Sequence, residues 1–382
     1  MTKDVVIIGA GSAGSRLASL LGKNFEITLI EEHDLVGEPV QCAGLVSPRC
    51  IDDITHKSKI CEINDFVLHS PSGIKLELHS KEPKGVVIDR AKHDSLLAES
   101  AEKSGAEIIR KARADKIDVS GGSVKVTYRR DSSTKELSSE LAVGAEGPRS
   151  LVRKYVTEEK PPLVYHGAQV TGHLKKDDLR DAVEMFLGNR IAPGFFAWKI
   201  PADDCTRIGL CSLPGKTPNQ LLSSFIRSKF PSFKEDSRQA GIIPIGPLSS
   251  IANKRAILIG DAACQTKPLT GGGIYLGKCA AEMLAGSISS EGAVIAAGEL
   301  YEKRFMTEFG RELSKAWRLR KIINEMSDRK LEKAIEVISD KKIISILEES
   351  GDIDYPANLT GAIIRKMPQL MKFLPELVRS GF

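Results

Sequence analysis

The 382-residue chain has no apolar run approaching the ~20 residues that cross a bilayer. Its start, "DVVIIGAG", has neither the basic region nor the cleavage site of a secretory signal. There is no C-x-x-C pair, and the seven cysteines are irregularly spaced. That argues against a disulfide framework and a structural zinc site, and fits a reducing compartment. The seven histidines are scattered, none paired at metal-ligand spacing, so no metal is expected. A net charge of +5 is too diffuse to imply nucleic acid, and no base-reading motif accompanies it. What is left is a cytoplasmic globular protein, with peripheral contact at the inner face of the cell membrane still open. The composition, 41% hydrophobic and 27% charged without a low-complexity tract, is ordinary for a chain long enough to form two or three packed units.

What is present begins with "VVIIGAGSAGSRLASLL", an apolar strand, a glycine-rich turn and a helical stretch. Gly9, Gly11 and Gly14 supply the G-x-G-x-x-G of a dinucleotide site, with Ala13 inside the same turn. The first glycine makes the turn, the second admits a pyrophosphate to the backbone, and the third lets helix pack on strand. The helix start then offers N–H groups to phosphate. A second strand, "EITLIEE", ends in Glu31, placed to accept hydrogen bonds from the ribose hydroxyls of an adenosine.

A nicotinamide enzyme would need little more than this, but the far end of the chain adds a second site. In "KRAILIGDAACQTKPLTGGGIYLGKCAAEMLA" a buried strand (256–259) leads to Gly260-Asp261, a loop, and the helix start Gly271-Gly272-Gly273-Ile274. Asp261 suits a polyhydroxyl chain. The N–H groups after Thr270 suit the pyrimidine end of a flavin, where the helix dipole favours negative charge. Between the two sites, "GVVIDRAKHDSLLAESAEKSGAEII" gives a short strand, Asp89-Arg90 and an amphipathic helix; "LAVGAEGPRSLVRK" gives a further strand and turn.

These four signals, in this order, resemble the FAD-binding fold of the p-hydroxybenzoate hydroxylase type, with Glu146 where that class usually has Asp. The resemblance implies an α/β protein: a Rossmann-like, three-layer ββα FAD-binding domain, a β-rich substrate domain and a helical C-terminus. It implies that Arg90 lies along FAD, that backbone near Ala114 meets the adenine, and that the Cys42-Ala43 loop passes the isoalloxazine. The FAD-binding domain is expected to be discontinuous, from residues 1–60, 83–160 and 250–295. Residues 61–82, a hairpin about Pro71-Ser72-Gly73, and 161–249 would form the substrate sheet, and 296–382 the helical region.

Within that sheet, "APGFFAWKIP" is similar to the Tyr-x-Trp-x-Phe-Pro motif of geranylgeranyl reductases, which hydrogenate isolated double bonds of prenyl chains, including those of archaeal membrane lipids. Phe196, Trp198 and Pro201 are the implied substrate contacts. "GEPVQCAGLVSP" matches the P-V-x-C segment of the same family. The departures are Phe196 for Tyr, Ile200 for Phe, and Cys211 for the second glycine of a downstream G-x-G. A rival reading is set by the W-x-W-x-I-P of flavin-dependent halogenases, which differs at one position; a hydroxylase of the parent fold is a third. Length and the P-V-x-C segment favour the reductase.

Cys42 then acquires a candidate role. A prenyl alkene is unpolarised, so hydride delivery needs a proton source at the other carbon. A thiol, with an ordinary pKa of ~8.5, stays protonated and uncharged in an apolar site at neutral pH. Cys42 either donates that proton or positions the alkene. The other six cysteines read as core or surface thiols. No second G-x-G-x-x-G serves a bound nicotinamide, so the reductant is expected to visit transiently, as NAD(P)H, a ferredoxin or a deazaflavin. The C-terminal stretch "GAIIRKMPQLMKFLPELVRSGF" is apolar, net basic and broken by Pro368 and Pro375. It suits either interfacial docking or closure of the protein's own core.

Overall fold

The computed structural model describes residues 3–119, 121–175, 181–291 and 294–357. Its first layer grows from the strand Lys3–Ile8, flanked in parallel by Ile27–Ile30 and by the second half of Ser133–Gly144. Ala256–Leu258 and Glu107–Ile109 extend this sheet on its two sides, again in parallel. Val5, Val6 and Ile7 are fully buried, which is why the strand reads as an unbroken apolar run. Helices Ser12–Leu21, Arg90–Lys103 and Ile274–Glu291 pack against the sheet and one another. The first half of Ser133–Gly144 turns away into an antiparallel meander with Val124–Arg130 and Ala112–Asp118. Ala114 therefore lies on the second strand after the Arg90–Lys103 helix, because Glu107–Ile109 intervenes.

The second layer has seven strands in the order Lys234–Ile245, Leu163–His173, Cys205–Ser212, Ala197–Ala202, Val183–Phe186, Asp65–His69 and Lys75–His79. Only Val183–Phe186 and Asp65–His69 pair in parallel. Lys59–Ile63 pairs instead with Gly85–Ile88 in a three-stranded sheet, so the hairpin contribution begins at Asp65. Lys234–Ile245 is an edge strand whose first half is polar and exposed and whose second half is a short apolar run without alternation, so sequence periodicity does not reveal it.

Leu68, Met185, Trp198, Gly209, Gln169 and Gln239 stand opposite one another in successive strands. The other face packs on helix Pro218–Lys229 through Leu222 and Phe225. It also buries a charged triad: Glu184 takes 2.6 Å and 2.9 Å contacts from His69 Nε2 and Lys199 Nζ. The long helix Ala297–Asn324 leads to Asp328–Ile338 and Lys341–Ser350. Asp328–Ile338 is tied to the second sheet's loops by Asn189 N donating to Asp328 (2.7 Å) and Ser70 Oγ donating to Glu332 (2.7 Å).

Although burial opposes it, hydrogen bonds and charge from His69 and Lys199 depress the Glu184 carboxyl from 4.5 to about 2. The native state then binds fewer protons than the unfolded chain, so this stability is present above pH 4.5 and lost as pH falls towards 2. Glu184→Gln is expected to flatten the acid limb of a denaturation-versus-pH curve in that window. At pH 7 it should lower stability by about 3 kcal/mol, the scale for breaking a buried pair.

Candidate active site

Three glycines of the first turn do different work. Gly9 has φ +96°, and a Cβ there would lie 2.5 Å from the Ala145 carbonyl oxygen; a Cβ on Gly14 would lie 2.1 Å from Gly9 O. Both positions belong to the packing of strand on helix. Gly11 meets nothing within 4 Å and faces a cavity, with Ser12 and Ala13 beside it. Glu31 holds the turn from behind: its carboxylate accepts from Ala10 N (2.9 Å) and from His33 N (2.9 Å).

The cavity is continuous, about 770 Å³, and runs between the two layers. Of the predicted contacts, Gly11, Ala13, Cys42, Ala43, Arg90, Asp261, Gly272, Gly273, Ile274, Phe196 and Trp198 line it. Gly9, Gly14, Glu31, Ala114 and Pro201 do not. Pro201 alternates away from the face that Trp198 and Ile200 present. Phe195, just before the strand Ala197–Ala202, also lines the cavity and stacks on Phe196 at 4.4 Å. Ile322, Met326, Leu331, Ile335 and Ile338 add an apolar wall from the helical region.

Arg90 pairs with Asp94, while its Nε is buried without a partner. Burial pushes the Asp261 carboxyl up to about 6, against the pull of Arg90 and Arg153. A Cβ on Gly273 would sit 2.8 Å from Asp261 Oδ1. An open glycine cradle, an orphaned guanidinium nitrogen, a buried acid and a glycine helix start are the groups that a dinucleotide with a polyhydroxyl linker engages. The residues fit FAD.

Cys42 is a free, half-buried thiol whose Sγ accepts from Gly44 N at 3.4 Å. Its carbonyl is held from the second sheet by Gln239 Nε2 (3.1 Å) and Gln169 Nε2 (3.4 Å). Trp198 Nε1 donates to Gln169 Oε1 at 2.8 Å and so orients that amide. The indole reaches it by lying across Gly209, where a Cβ would be 2.5 Å away. Arg207 donates to the carbonyls of Ala43 (2.9 Å) and Ile88 (3.0 Å). Cys211 takes its place because its cross-strand partner is Gly167. Burial pushes the Cys211 and Cys264 thiols up to about 12 and that of Cys50 to about 11, so all three stay protonated.

Gln169, Gln239, Lys267 and Arg320 are cavity residues that sequence reasoning missed. Arg320 clamps the loop before the glycine run, donating to the carbonyls of Pro268 (2.8 Å), Leu269 (2.6 Å) and Gly194 (3.1 Å) under the Phe195 ring. Between Arg318 and Lys321 on a long helix, it looks in the sequence like one more surface cation, and no signal there marks it. Among the described residues no cluster of His, Cys, Asp or Glu is placed to hold a metal ion.

Fold and cavity together define a flavoprotein, and residues 2–213 match the FAD binding domain family. The chain is 30% identical to the digeranylgeranylglycerophospholipid reductase of Methanothrix thermoacetophila, over 99% of this chain and 100% of the relative. It belongs to the family of these reductases. A solved geranylgeranyl bacteriochlorophyll reductase-like protein of Thermoplasma acidophilum shares the fold, with TM-score 0.86, 22% identity and coverage of 98% and 99% of the two chains. A flavin-dependent halogenase is a more distant neighbour, with TM-score 0.68 and 17% identity over 97% of this chain and 78% of the halogenase.

Because Asp261 is raised to about 6 in the folded apoprotein, that state binds more protons than the unfolded chain between pH 6 and 4. Acidification through this window should favour the apoprotein at this group, yet weaken FAD binding, since the protonated acid accepts hydrogen bonds less well. Fluorescence titration with FAD from pH 8 to 5 is expected to show affinity falling below about pH 6. Asp261→Asn should bind FAD more weakly at pH 7 and remove most of that pH dependence.

Proposed function

We propose that the chain is an FAD-dependent reductase that hydrogenates isolated C=C bonds of geranylgeranyl chains on membrane ether lipids. The observation that carries this reading is the single cavity in which the FAD-fitting wall continues into an apolar one. That wall comprises Ile322, Met326, Leu331, Ile335 and Ile338, with Phe66, Leu68 and Met185 from the sheet. Such a lining removes a branched hydrocarbon from water at roughly 25 cal/mol per Å². Bound FAD, once reduced, supplies hydride. Cys42, at the same wall, is the candidate to pass a proton from Sγ to the other carbon or to steer the alkene beside it. The faces of Phe196 and Trp198 favour positive charge developing between the two transfers. Electrons arrive from a transient donor, NAD(P)H, a ferredoxin or a deazaflavin.

The substrate class is tested without oxygen. Dithionite-reduced protein mixed with a geranylgeranyl phospholipid should reoxidise, and the lipid should gain two hydrogens per bond reduced. Turnover only with oxygen, or only with oxygen and halide, gives the activity to the hydroxylase or halogenase class. Cys42→Ala should slow that reoxidation by about 10²-fold or more while FAD stays bound.

No helix among the described residues is long and apolar enough to cross a membrane. We infer that the lipid is met at the membrane surface, through the basic apolar stretch 361–382, which lies outside the described residues. Flotation with anionic liposomes should show salt-sensitive binding that disappears on deleting that stretch. A truncated chain that aggregates and loses FAD would instead assign the stretch to the core.

A further inference from the structure

Lys267 lies in the loop between Asp261 and the glycine run, on the cavity wall, and is 6% exposed. The loop folds back tightly: Lys267 N donates to Gly272 O (3.0 Å) and Gly271 N to Lys267 O (2.8 Å). The side chain runs beneath Gly272, where a Cβ would meet Cε at 2.9 Å and Nζ at 3.3 Å. The absence of a side chain at Gly272 leaves room for the ammonium beside the backbone that starts helix Ile274–Glu291. Lys267 Nζ donates to Asp354 Oδ1 at 2.8 Å, and the Asp354 side chain is completely buried. Arg49 holds the other oxygen, Oδ2, at 2.9 Å and Asp352 at 2.8 Å, from a half-exposed position.

A buried ion pair is a poor means of stabilisation, because desolvation offsets most of the attraction. This one is placed where fixed charge acts on a cofactor's electronics, since a sheltered cation favours the electron-richer state of a neighbouring group and an anion disfavours it. We propose that the Lys267–Asp354 pair sets the reduction potential of the bound FAD. Lys267 is the nearer charge to the glycine run and raises the potential, and Asp354 attenuates it. Asp354 comes from the segment after the last described helix, Lys341–Ser350, so docking of that segment on Arg49 and Lys267 adjusts the flavin's driving force. The inference rests on FAD occupying the Gly271–Ile274 wall.

The test is the midpoint potential of the FAD-loaded protein, read by spectroelectrochemical titration. Asp354→Asn leaves the ammonium uncompensated and should raise the potential. Lys267→Met leaves the carboxylate and should lower it. Each change should be at least tenfold in the oxidised-to-reduced equilibrium, about 30 mV for a two-electron couple. Lys267→Arg should keep the wild-type value within threefold. Should Lys267→Met lose FAD, Arg49→Met removes a cation from the outer side of Asp354 and should shift the potential down. A yellow wild type whose variants leave the potential unchanged, or move it in one direction whatever the sign of the charge removed, overturns the inference alone. A wild type that takes up no FAD overturns the cofactor reading and the inference with it.

Discussion

Two amides of the seven-stranded sheet, Gln169 and Gln239, close on the carbonyl of Cys42, a residue carried by a loop of the other layer. Through this grip the two layers form one site. Gly209 has no side chain, so the Trp198 indole lies over it and donates to Gln169, whose amide is then turned towards the loop. Arg207 pins the next carbonyl, that of Ala43. A hydrogen bond of this kind contributes about 1 kcal/mol net, but several of them in a sheltered place define a position better than an energy. The thiol thus faces the cavity from a backbone that the opposite sheet holds still. The hexapeptide around Trp198 therefore lines the cavity and also orients the group that faces it.

Three groups of sheltered charge differ in consequence. The Glu184–His69–Lys199 triad sits on the sheet face turned from the cavity, and its effect is on acid stability. Asp261 and Arg90 stand at the cavity wall with capacity left over, the acid raised by burial and the Arg90 Nε unpartnered. That surplus is the signature of a wall completed by a ligand. Lys267 and Asp354 lie between these cases, paired with each other and yet against the glycine run. The apolar wall that continues the cavity is shared between the sheet and the helical region. Its helix Asp328–Ile338 is held to the sheet by polar contacts at Asn189 and Ser70, leaving Leu331 and Ile335 turned inward.

The glycine turn, the Asp261 loop with its glycine helix start, and the cavity-lining hexapeptide around Trp198 could all be read along the chain. Each is a short contiguous backbone geometry: a glycine with positive φ or close contact, an acid at a strand end, alternation in a strand. Such local constraints leave a mark in residue type and spacing, and so the flavoprotein fold, FAD and the prenyl reductase resemblance were legible there. The strand Lys234–Ile245 was not, because its polar half and short apolar run show no alternation. With it went Gln239, and with the cross-strand register went Gln169, 127 residues from the loop it holds. Lys267 and Asp354 stand 87 residues apart, and neither residue type announces the other. Polar partners are chosen by register and packing, which exist only once the layers have met. The sequence by itself determined the class of cofactor and chemistry. Only the tertiary structure decided which side chains hold Cys42 and which charges stand against the glycine run of the cavity wall.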